Sequence, residues 1–283
     1  MNEQEQRRCA EELMHARRRG VPIDPLITTH PDASIQDASA IQTMQVACWV
    51  AEGQTIVGHK VGLSSLATQA QTGVDGPDVG HLLTDMFHPE NYPISIDRYI
   101  SPRIQPEVAF VLGGRLAGPG VTVAQAIRAV DFVVPAFEIV DSRFKPWDLT
   151  IVDTVADNAS AGGVILGGKP SLLREVELDR SAVELSLNGD PAVSGLGGAV
   201  LGSPLNALVW LANTLGKHGT VLEEGHVVLP GSPTKASCLL PGDVVEATFS
   251  GMGSVRCRVA TSTAAEHRRH VDTKLSLVSS TEA

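Results

Sequence analysis

Two apolar segments of this chain each carry a glutamate where a buried β-strand is predicted. Residues 104–112 contain Glu107, and residues 132–140 contain Glu138. An ionised carboxylate inside such a strand costs free energy unless it is paired or bound to a metal. Gln105 lies two residues before Glu107, so the two side chains share one face of the strand. Together the three side chains favour an all-oxygen site for a hard cation such as Mg²⁺.

An alternative is that both glutamates are ordinary strand residues, which face solvent or form ion pairs with Arg103 and Arg143. In the metal hypothesis, two glutamates and one neutral amide carry less charge than three carboxylates would carry. Because ligand charge is a main determinant of affinity, we expect weaker Mg²⁺ binding than at a site of three carboxylates.

The composition narrows the classes of partner. The 283-residue chain has 43% hydrophobic and 19% charged residues, with a net charge of −10. The negative charge argues against binding to nucleic acid or to an anionic membrane surface. An anionic small-molecule substrate would need a local cation. The low share of charged residues predicts a surface that other subunits partly cover, as in a homo-oligomer.

The cysteines and the absence of long apolar runs bear on location. Cys9, Cys48, Cys238 and Cys257 form no CxxC pair and have no metal-ligand spacing. With no secretory signal at the N-terminus, reduced thiols in a cytoplasmic protein are expected. The sequence contains no run of about 18 apolar residues, so no membrane span is expected.

The periodicity predicts an α+β protein, because strands dominate after residue 55 without regular alternation with helices. Helices are predicted at 3–19, 34–52, 122–130 and 205–215. Strands are predicted at 56–63, 104–112, 132–140, 183–188, 227–229, 244–249 and 254–259. We therefore expect a helical N-terminal region at 1–72, a β-rich catalytic core at 73–265 and a polar C-terminal tail at 266–283.

Lys60 lies in an apolar, glycine-containing strand, which predicts that it is buried. A desolvated lysine near acids can act as a proton donor or as a nucleophile. The alternative is a structural salt bridge. His59 points to the opposite face of the strand and is interpreted as structural. Asp78 follows glycine and proline, a setting in which an ordinary turn aspartate is the simpler interpretation.

Two further segments offer polar groups for a ligand. Asp157, Asn158 and Ser160 precede a Gly-Gly pair, where a ligand can approach the backbone closely, or where a capped turn can form. Thr234 and Lys235 follow the predicted strand 227–229 and could bind a carboxylate.

Several long motifs together resemble one family. They are VGHKVGLSS at 57–65, GVDGPDVG at 73–80, EIVDSR at 138–143, DTVADNAS at 153–160, LGSPLN at 201–206 and WLANTLG at 210–216. The chain resembles the 2-hydroxypenta-2,4-dienoate (2-keto-4-pentenoate) hydratases and the 4-oxalocrotonate decarboxylases of the fumarylacetoacetase-like superfamily. The resemblance implies a mixed, rolled β-sheet core, like that of the fumarylacetoacetase C-terminal domain, with a helical N-terminal cap.

The resemblance also implies roles for individual residues. Mg²⁺ or Mn²⁺ would be held at Gln105, Glu107 and Glu138, although the family usually has glutamate at the first position. Lys60 would be the catalytic acid/base, with a pKa lowered by burial and the nearby cation. Asp78 and Ser160 would assist it. Ser160, Asn158, Thr234 and Arg143 would bind the substrate.

The reaction implied is the addition of water to a 2-hydroxy-2,4-dienoate, through its 2-oxo-3-enoate tautomer, to give a 4-hydroxy-2-oxo acid. A metal chelated by the C1 carboxylate and the C2 oxygen would act as a Lewis acid. The alternatives are a 4-oxalocrotonate decarboxylase, a tautomerase, or a non-catalytic homologue in which Gln105 disables the metal site.

Overall fold

The computed structural model describes residues 1–65, 69, 76–145 and 147–261. The helices of this part of the chain are α1 (Glu3–Arg19), α2 (Leu26–Thr29), α3 (Ile35–Ala51), α4 (Val123–Ala129), α5 (Ile151–Ala156) and α6 (Pro204–Gly216). Capping boxes begin α1, α3 and α4 at Asn2, Ser34 and Thr122. These caps satisfy backbone N–H groups that have no partner within the helix.

The strands form two sheets. They are β1 (Ile56–Gly62), β2 (Asp78–Leu83), β3 (Phe87–His88), β4 (Pro93–Ile94), β5 (Arg103–Leu112), β6 (Val130–Val140), β7 (Ala161–Leu166), β8 (Ala182–Leu187), β9 (Asp190–Leu196), β10 (Val227–Leu229), β11 (Ser237–Cys238), β12 (Val244–Phe249) and β13 (Gly253–Val259). The predicted α+β class, with N-terminal helices and a curled sheet, is confirmed.

The larger sheet has the order β2-β1-β10-β5-β6-β7-β3, and β11 also pairs with β5. Its longest pair, β5 and β6, runs antiparallel and sets Gln105 opposite Glu138. β1 runs parallel to β10 and antiparallel to β2. This order brings Lys60 of β1 towards the face of the sheet that carries the two glutamates.

The two faces of this sheet pack against different layers. On one face, Phe110 and Phe137 join Leu185 and Phe249 of the smaller sheet (order β4-β13-β12-β8-β9) and Leu211 of α6 in the main core. On the other face, Met14 and Trp49 of the N-terminal helices pack on Leu82, Ala109 and Ala136. Because side chains alternate along a strand, Glu107 and Glu138 lie on this second face.

Some predicted boundaries need correction. β1 belongs to the main sheet, so the sheet begins at Ile56, well before the predicted boundary at residue 72. Asp78 begins strand β2 and is not a loop residue. The predicted tail at 266–283, and the boundary between residues 72 and 73, lie outside the described residues. In the described part of the chain, no helix has the length and apolar character needed to cross a bilayer.

Candidate active site and metal centre

Gln105, Glu107 and Glu138 form one cluster on the larger sheet. The Gln105 amide nitrogen donates hydrogen bonds to Glu107 Oε1 (3.1 Å) and to Glu138 Oε2 (2.7 Å). The backbone N–H of Gly231 donates to Glu107 Oε2 at 2.7 Å. Glu107 is 0% exposed and Glu138 is 1% exposed. The sheet therefore brings together the three side chains that the sequence singled out for metal binding.

Lys60 completes this cluster from β1. Its Nζ atom forms a buried ion pair with Glu138 Oε1 at 3.0 Å. Apart from this ion pair, Glu138 Oε1 has no hydrogen-bond partner among the described residues. The alternative in which Arg103 and Arg143 pair with the glutamates is wrong, because Lys60 takes that place.

Asp78 adds a third buried carboxylate beside Lys60. A Cβ atom on Gly62 would lie 1.9 Å from Asp78 Oδ1 and 3.2 Å from Lys60 Nζ. Only glycine at position 62 therefore leaves room for this arrangement. Asp78 Oδ1 has no hydrogen-bond partner in the described part of the chain, which marks it as an atom available to a ligand or to a proton.

The cluster contains more negative than positive charge. Three carboxylates face one ammonium, so two negative charges have no counterpart when all groups are ionised. Burial raises the pKa of Glu107 well above its ordinary range, and the nearby Glu138 carboxylate adds to this rise. Burial also raises the pKa of Asp78, although Lys60 opposes the shift. Excess buried negative charge is what a bound divalent cation would neutralise.

The acids around Lys60 oppose the lowering of its pKa that burial was expected to cause. Desolvation acts to lower the pKa of Lys60, but the charges of Glu138, Asp78 and Glu107 outweigh it and raise the pKa. The sequence identified the burial correctly and underestimated the number of acids around the ammonium. These acids therefore favour the charged form of Lys60.

A cavity of about 400 Å³ opens above this cluster. Lys60, Asp78 and Ser160 line its buried inner end, and the half-buried Gln105 also lines it. Trp147, Leu149 and Ile151 supply an apolar wall, and Ser232, Thr234 and Lys235 lie along the other side. A small organic acid can therefore reach Lys60 while its carbon chain packs on apolar groups.

Ser160 reaches the cavity from a strained turn. Asn158, Ala159 and Ser160 have φ values of 51°, 51° and 54°, in the left-handed region that non-glycine residues rarely occupy. Such strain persists only where the surroundings enforce it, and it is frequent at active sites. The Ser160 hydroxyl lies 3.3 Å from Asp157 Oδ2, to which it donates.

Two of the predicted substrate-binding residues are outside the cavity wall. The Asn158 side chain accepts from the backbone N–H of His81 (2.8 Å) and donates to the His81 carbonyl (2.9 Å). Arg143 is buried against Asp157 and also donates to the carbonyl of Ala161 at 3.1 Å. Their geometry supports the turn that carries Ser160. Thr234, in contrast, lines the cavity as predicted.

Arg103 and Trp147 were not predicted as site residues. Arg103 lines the cavity, and its guanidinium lies 4.2 Å from the centroid of the Trp147 ring. Strand alternation could have identified Arg103, because it lies on the same face as Gln105 and Glu107. No sequence signal links Trp147 to β5, since their contact depends on tertiary packing.

The donor set fits a hard divalent cation. The carboxylate oxygens of Glu107 and Glu138 face the Gln105 carboxamide, and a half-turn of that amide would present its oxygen instead of its nitrogen. Among the described residues, no three His, Cys, Asp or Glu side chains form a metal-binding group. A metal held by this cluster would therefore take the amide oxygen as its third ligand.

Comparison with known proteins identifies the family. The model of the fumarylacetoacetate (FAA) hydrolase C-terminal family matches residues 55–260. A 2-keto-4-pentenoate hydratase of Paraburkholderia xenovorans is 41% identical over 256 residues, which is 90% of this chain and 95% of the relative. A 2-oxo-hept-4-ene-1,7-dioate hydratase of Escherichia coli is 38% identical over 255 residues, 88% of this chain and 96% of the relative.

A solved structure shows the same architecture. The 4-oxalocrotonate decarboxylase from Pseudomonas putida, complexed with magnesium and adipate, superimposes with a TM-score of 0.88. It is 33% identical in sequence, and the match covers 92% of this chain and 98% of that chain. On the family match and on these identities, the chain belongs to the fumarylacetoacetate hydrolase C-terminal family.

Proposed function

We propose that this protein is a hydratase that depends on a divalent metal and adds water to a 2-hydroxy-2,4-dienoate, giving a 4-hydroxy-2-oxo acid. The observation that carries the proposal is the unbalanced acid cluster with Lys60 at the inner end of the cavity. Relatives about 40% identical over most of their length are named as hydratases of such substrates, which supports the same reaction here.

Gln105, Glu107 and Glu138 would hold the ion, and their oxygen donors suit Mg²⁺ or Mn²⁺. When bound, the ion supplies a Lewis acid that stabilises negative charge on the C1 carboxylate and the C2 oxygen of the substrate. Magnesium and calcium occur in the complexes of the decarboxylase neighbour, which supports a divalent metal at this site.

Lys60 is placed to move protons. In the dienol, a proton leaves the 2-hydroxyl group and another is added at C5, giving the 2-oxo-3-enoate. Water then adds its hydroxyl group at C4 and a proton at C3. The Lys60 ammonium, which Glu138 holds in place at 3.0 Å, is the proton donor of this site, and Asp78 is the nearby base that accepts protons.

The remaining cavity residues orient and shield the substrate. The Ser160 hydroxyl lines the cavity and would donate to a substrate oxygen in exchange for its 3.3 Å hydrogen bond to Asp157. Trp147, Leu149 and Ile151 keep the reacting carbons against an apolar wall, which limits access of bulk water. A decarboxylase is the competing function, because the solved neighbour at 33% identity catalyses that reaction by its name.

The test is a UV assay with freshly generated 2-hydroxypenta-2,4-dienoate, with Mg²⁺ or with EDTA. The proposal predicts loss of the dienol absorbance and formation of 4-hydroxy-2-oxopentanoate only with the metal. Ketonisation without water addition would indicate a tautomerase instead. No reaction and no metal binding would favour a non-catalytic homologue. A parallel assay with 2-hydroxymuconate and its 4-oxalocrotonate tautomer, monitored for CO₂, tests the decarboxylase alternative.

A further inference from the structure

The outer end of the cavity carries positive charge that no described acid neutralises. Arg103 and Lys235 both line the cavity. Neither forms a salt bridge with any acid in the described ranges, whereas Arg17, Arg115, Arg143 and Arg256 each do. An unpaired, half-buried guanidinium beside a cavity is a ready partner for an anionic ligand.

Arg103 is held in a fixed position. Its guanidinium stacks on the Trp147 ring at 4.2 Å. Stacking through the face leaves the N–H edge free, and this edge can bind a carboxylate with two parallel hydrogen bonds. Lys235 is more exposed, so it adds a weaker and more strongly screened attraction.

The position of Arg103 along β5 sets the length of the ligand. Arg103, Gln105 and Glu107 alternate along one face of the strand. Neighbours on one face are about 7 Å apart, so the backbone of Arg103 lies about 7 Å along the strand from that of Gln105. A substrate whose oxo-acid end lies at Gln105 would thus direct its far end towards Arg103.

The charges of the cavity are therefore arranged in a gradient. Among the described residues that line the cavity, Asp78 is the one acid, and it is buried near Lys60. Arg103 and Lys235 occupy the outer end. A substrate with one carboxylate, bound at the proposed metal ion, would leave this outer charge unmatched, while a dicarboxylate would also place a second carboxylate at the outer end.

We propose that Arg103, stacked on Trp147 and assisted by Lys235, binds a second carboxylate at the far end of the substrate. The preferred substrates are then 2-hydroxy-dienoates of six or seven carbons that end in a carboxylate, in preference to the five-carbon monocarboxylate. This inference rests on the proposed hydratase function for the reaction at the oxo-acid end of the substrate. The preference for a dicarboxylate rests on Arg103.

The kinetic test compares two substrates in three proteins. The substrates are 2-hydroxypenta-2,4-dienoate and 2-hydroxyhepta-2,4-diene-1,7-dioate. The proteins are the wild type, Arg103→Met, which keeps an aliphatic chain over Trp147, and Arg98→Met. Arg98 is the matched control, because it also lies over an aromatic ring, at 5.8 Å from the Tyr99 centroid, but is outside the cavity wall.

The wild type should have the higher kcat/KM for the dioate. Arg103→Met should lower kcat/KM for the dioate about ten- to hundredfold more than for the pentadienoate, as expected for loss of a charge-assisted hydrogen-bonded pair. Arg98→Met should leave the ratio unaltered. Equal losses for both substrates would overturn the proposal and place the C1 carboxylate at Arg103. A wild type without preference for the dioate would also overturn it.

A binding measurement keeps this inference separate from the proposed function. If the wild type hydrates neither substrate, the hydratase proposal fails, and calorimetry with adipate and hexanoate in the presence of Mg²⁺ still tests the carboxylate site. The inference predicts tighter binding of adipate, and loss of this difference in Arg103→Met. Equal binding of the two acids by the wild type would refute it.

Discussion

The substitution Gln105→Glu tests how the acid cluster balances its charge. In the metal-free protein the Gln105 amide donates to Glu107 at 3.1 Å and to Glu138 at 2.7 Å. A glutamate at this position removes both donors and adds a third carboxylate to the pair. Each lost hydrogen bond to a charged group is worth about 1.5–3 kcal/mol.

The two lost bonds set an upper bound of about 3–6 kcal/mol on the cost of this change without metal. Protonation of one carboxyl would restore one donor, because the pKa of Glu107 is already raised by burial. We therefore expect a loss of about 2–4 kcal/mol in the free energy of unfolding in EDTA. In excess Mg²⁺ the substitution should instead stabilise the protein. Three carboxylates should bind Mg²⁺ at least about tenfold more tightly than two carboxylates and an amide.

The assay is urea unfolding of the wild type and Gln105→Glu, in EDTA and in excess Mg²⁺, with calorimetric titration of Mg²⁺. The matched control is Gln45→Glu. Gln45 is also buried, and its amide donates to the carbonyls of Ile41 and Ala156. The Gln45→Glu variant should therefore be destabilised equally in EDTA and in Mg²⁺. If Gln105→Glu is no less stable than the wild type in EDTA, or binds Mg²⁺ no more tightly, the assignment of this cluster as the metal centre is refuted.

Three further changes address other parts of the site. Gly62→Ala should displace Asp78, because the new Cβ would lie 1.9 Å from Asp78 Oδ1. We expect kcat to fall by about tenfold or more, with little change in Mg²⁺ affinity. An unaltered kcat would contradict this contact. Lys60→Met should lower kcat by about 10²–10⁴-fold. It should also destabilise the protein in EDTA, because Glu138 loses its ion pair, and added Mg²⁺ should recover stability but not turnover. A variant with normal turnover would exclude Lys60 as the proton donor. Burial holds the pKa of His59 well below its ordinary value, so the folded state favours the neutral ring. The stability from His59 is then complete above pH 6.5 and declines as the pH falls, by about 1.4 kcal/mol per pH unit. Urea unfolding at pH 7 and pH 5 should show a smaller loss in His59→Leu than in the wild type, and equal losses would refute this assignment.

The grouping of Glu107, Glu138 and Gln105 could be predicted from the sequence because burial in two strands leaves each carboxylate in need of a partner. The burial of Lys60 followed from the apolar residues around it. The direction in which the pKa of Lys60 shifts could not be predicted in this way, because it depends on how many acids the sheet brings near the ammonium. The local pattern around Asp78 of β2 indicated an ordinary turn residue, and only the family resemblance indicated that Asp78 is one of them.

The substrate-binding residues were harder to predict. Arg143 and Asn158 lie in two of the motifs that carry the family resemblance, but the left-handed turn at 158–160 directs Asn158 to the His81 backbone. Arg143 points towards Asp157, which directly precedes that turn. Arg143 and Asn158 therefore both stabilise the turn. Arg103 was considered only as a partner for the glutamates. Its real partner, Trp147, is 44 residues away in the chain, and only the packed structure shows the contact.

The mass of the product distinguishes hydration from isomerisation and from decarboxylation in a single measurement. The wild type, loaded with Mg²⁺, is incubated with 2-hydroxypenta-2,4-dienoate and with 2-hydroxyhepta-2,4-diene-1,7-dioate, and the products are identified by mass spectrometry and NMR. We expect that each substrate gains one water, with the new hydroxyl group on C4, and that EDTA prevents the gain. A product of unaltered mass, or one that has lost CO₂, would contradict hydration as the function of this site.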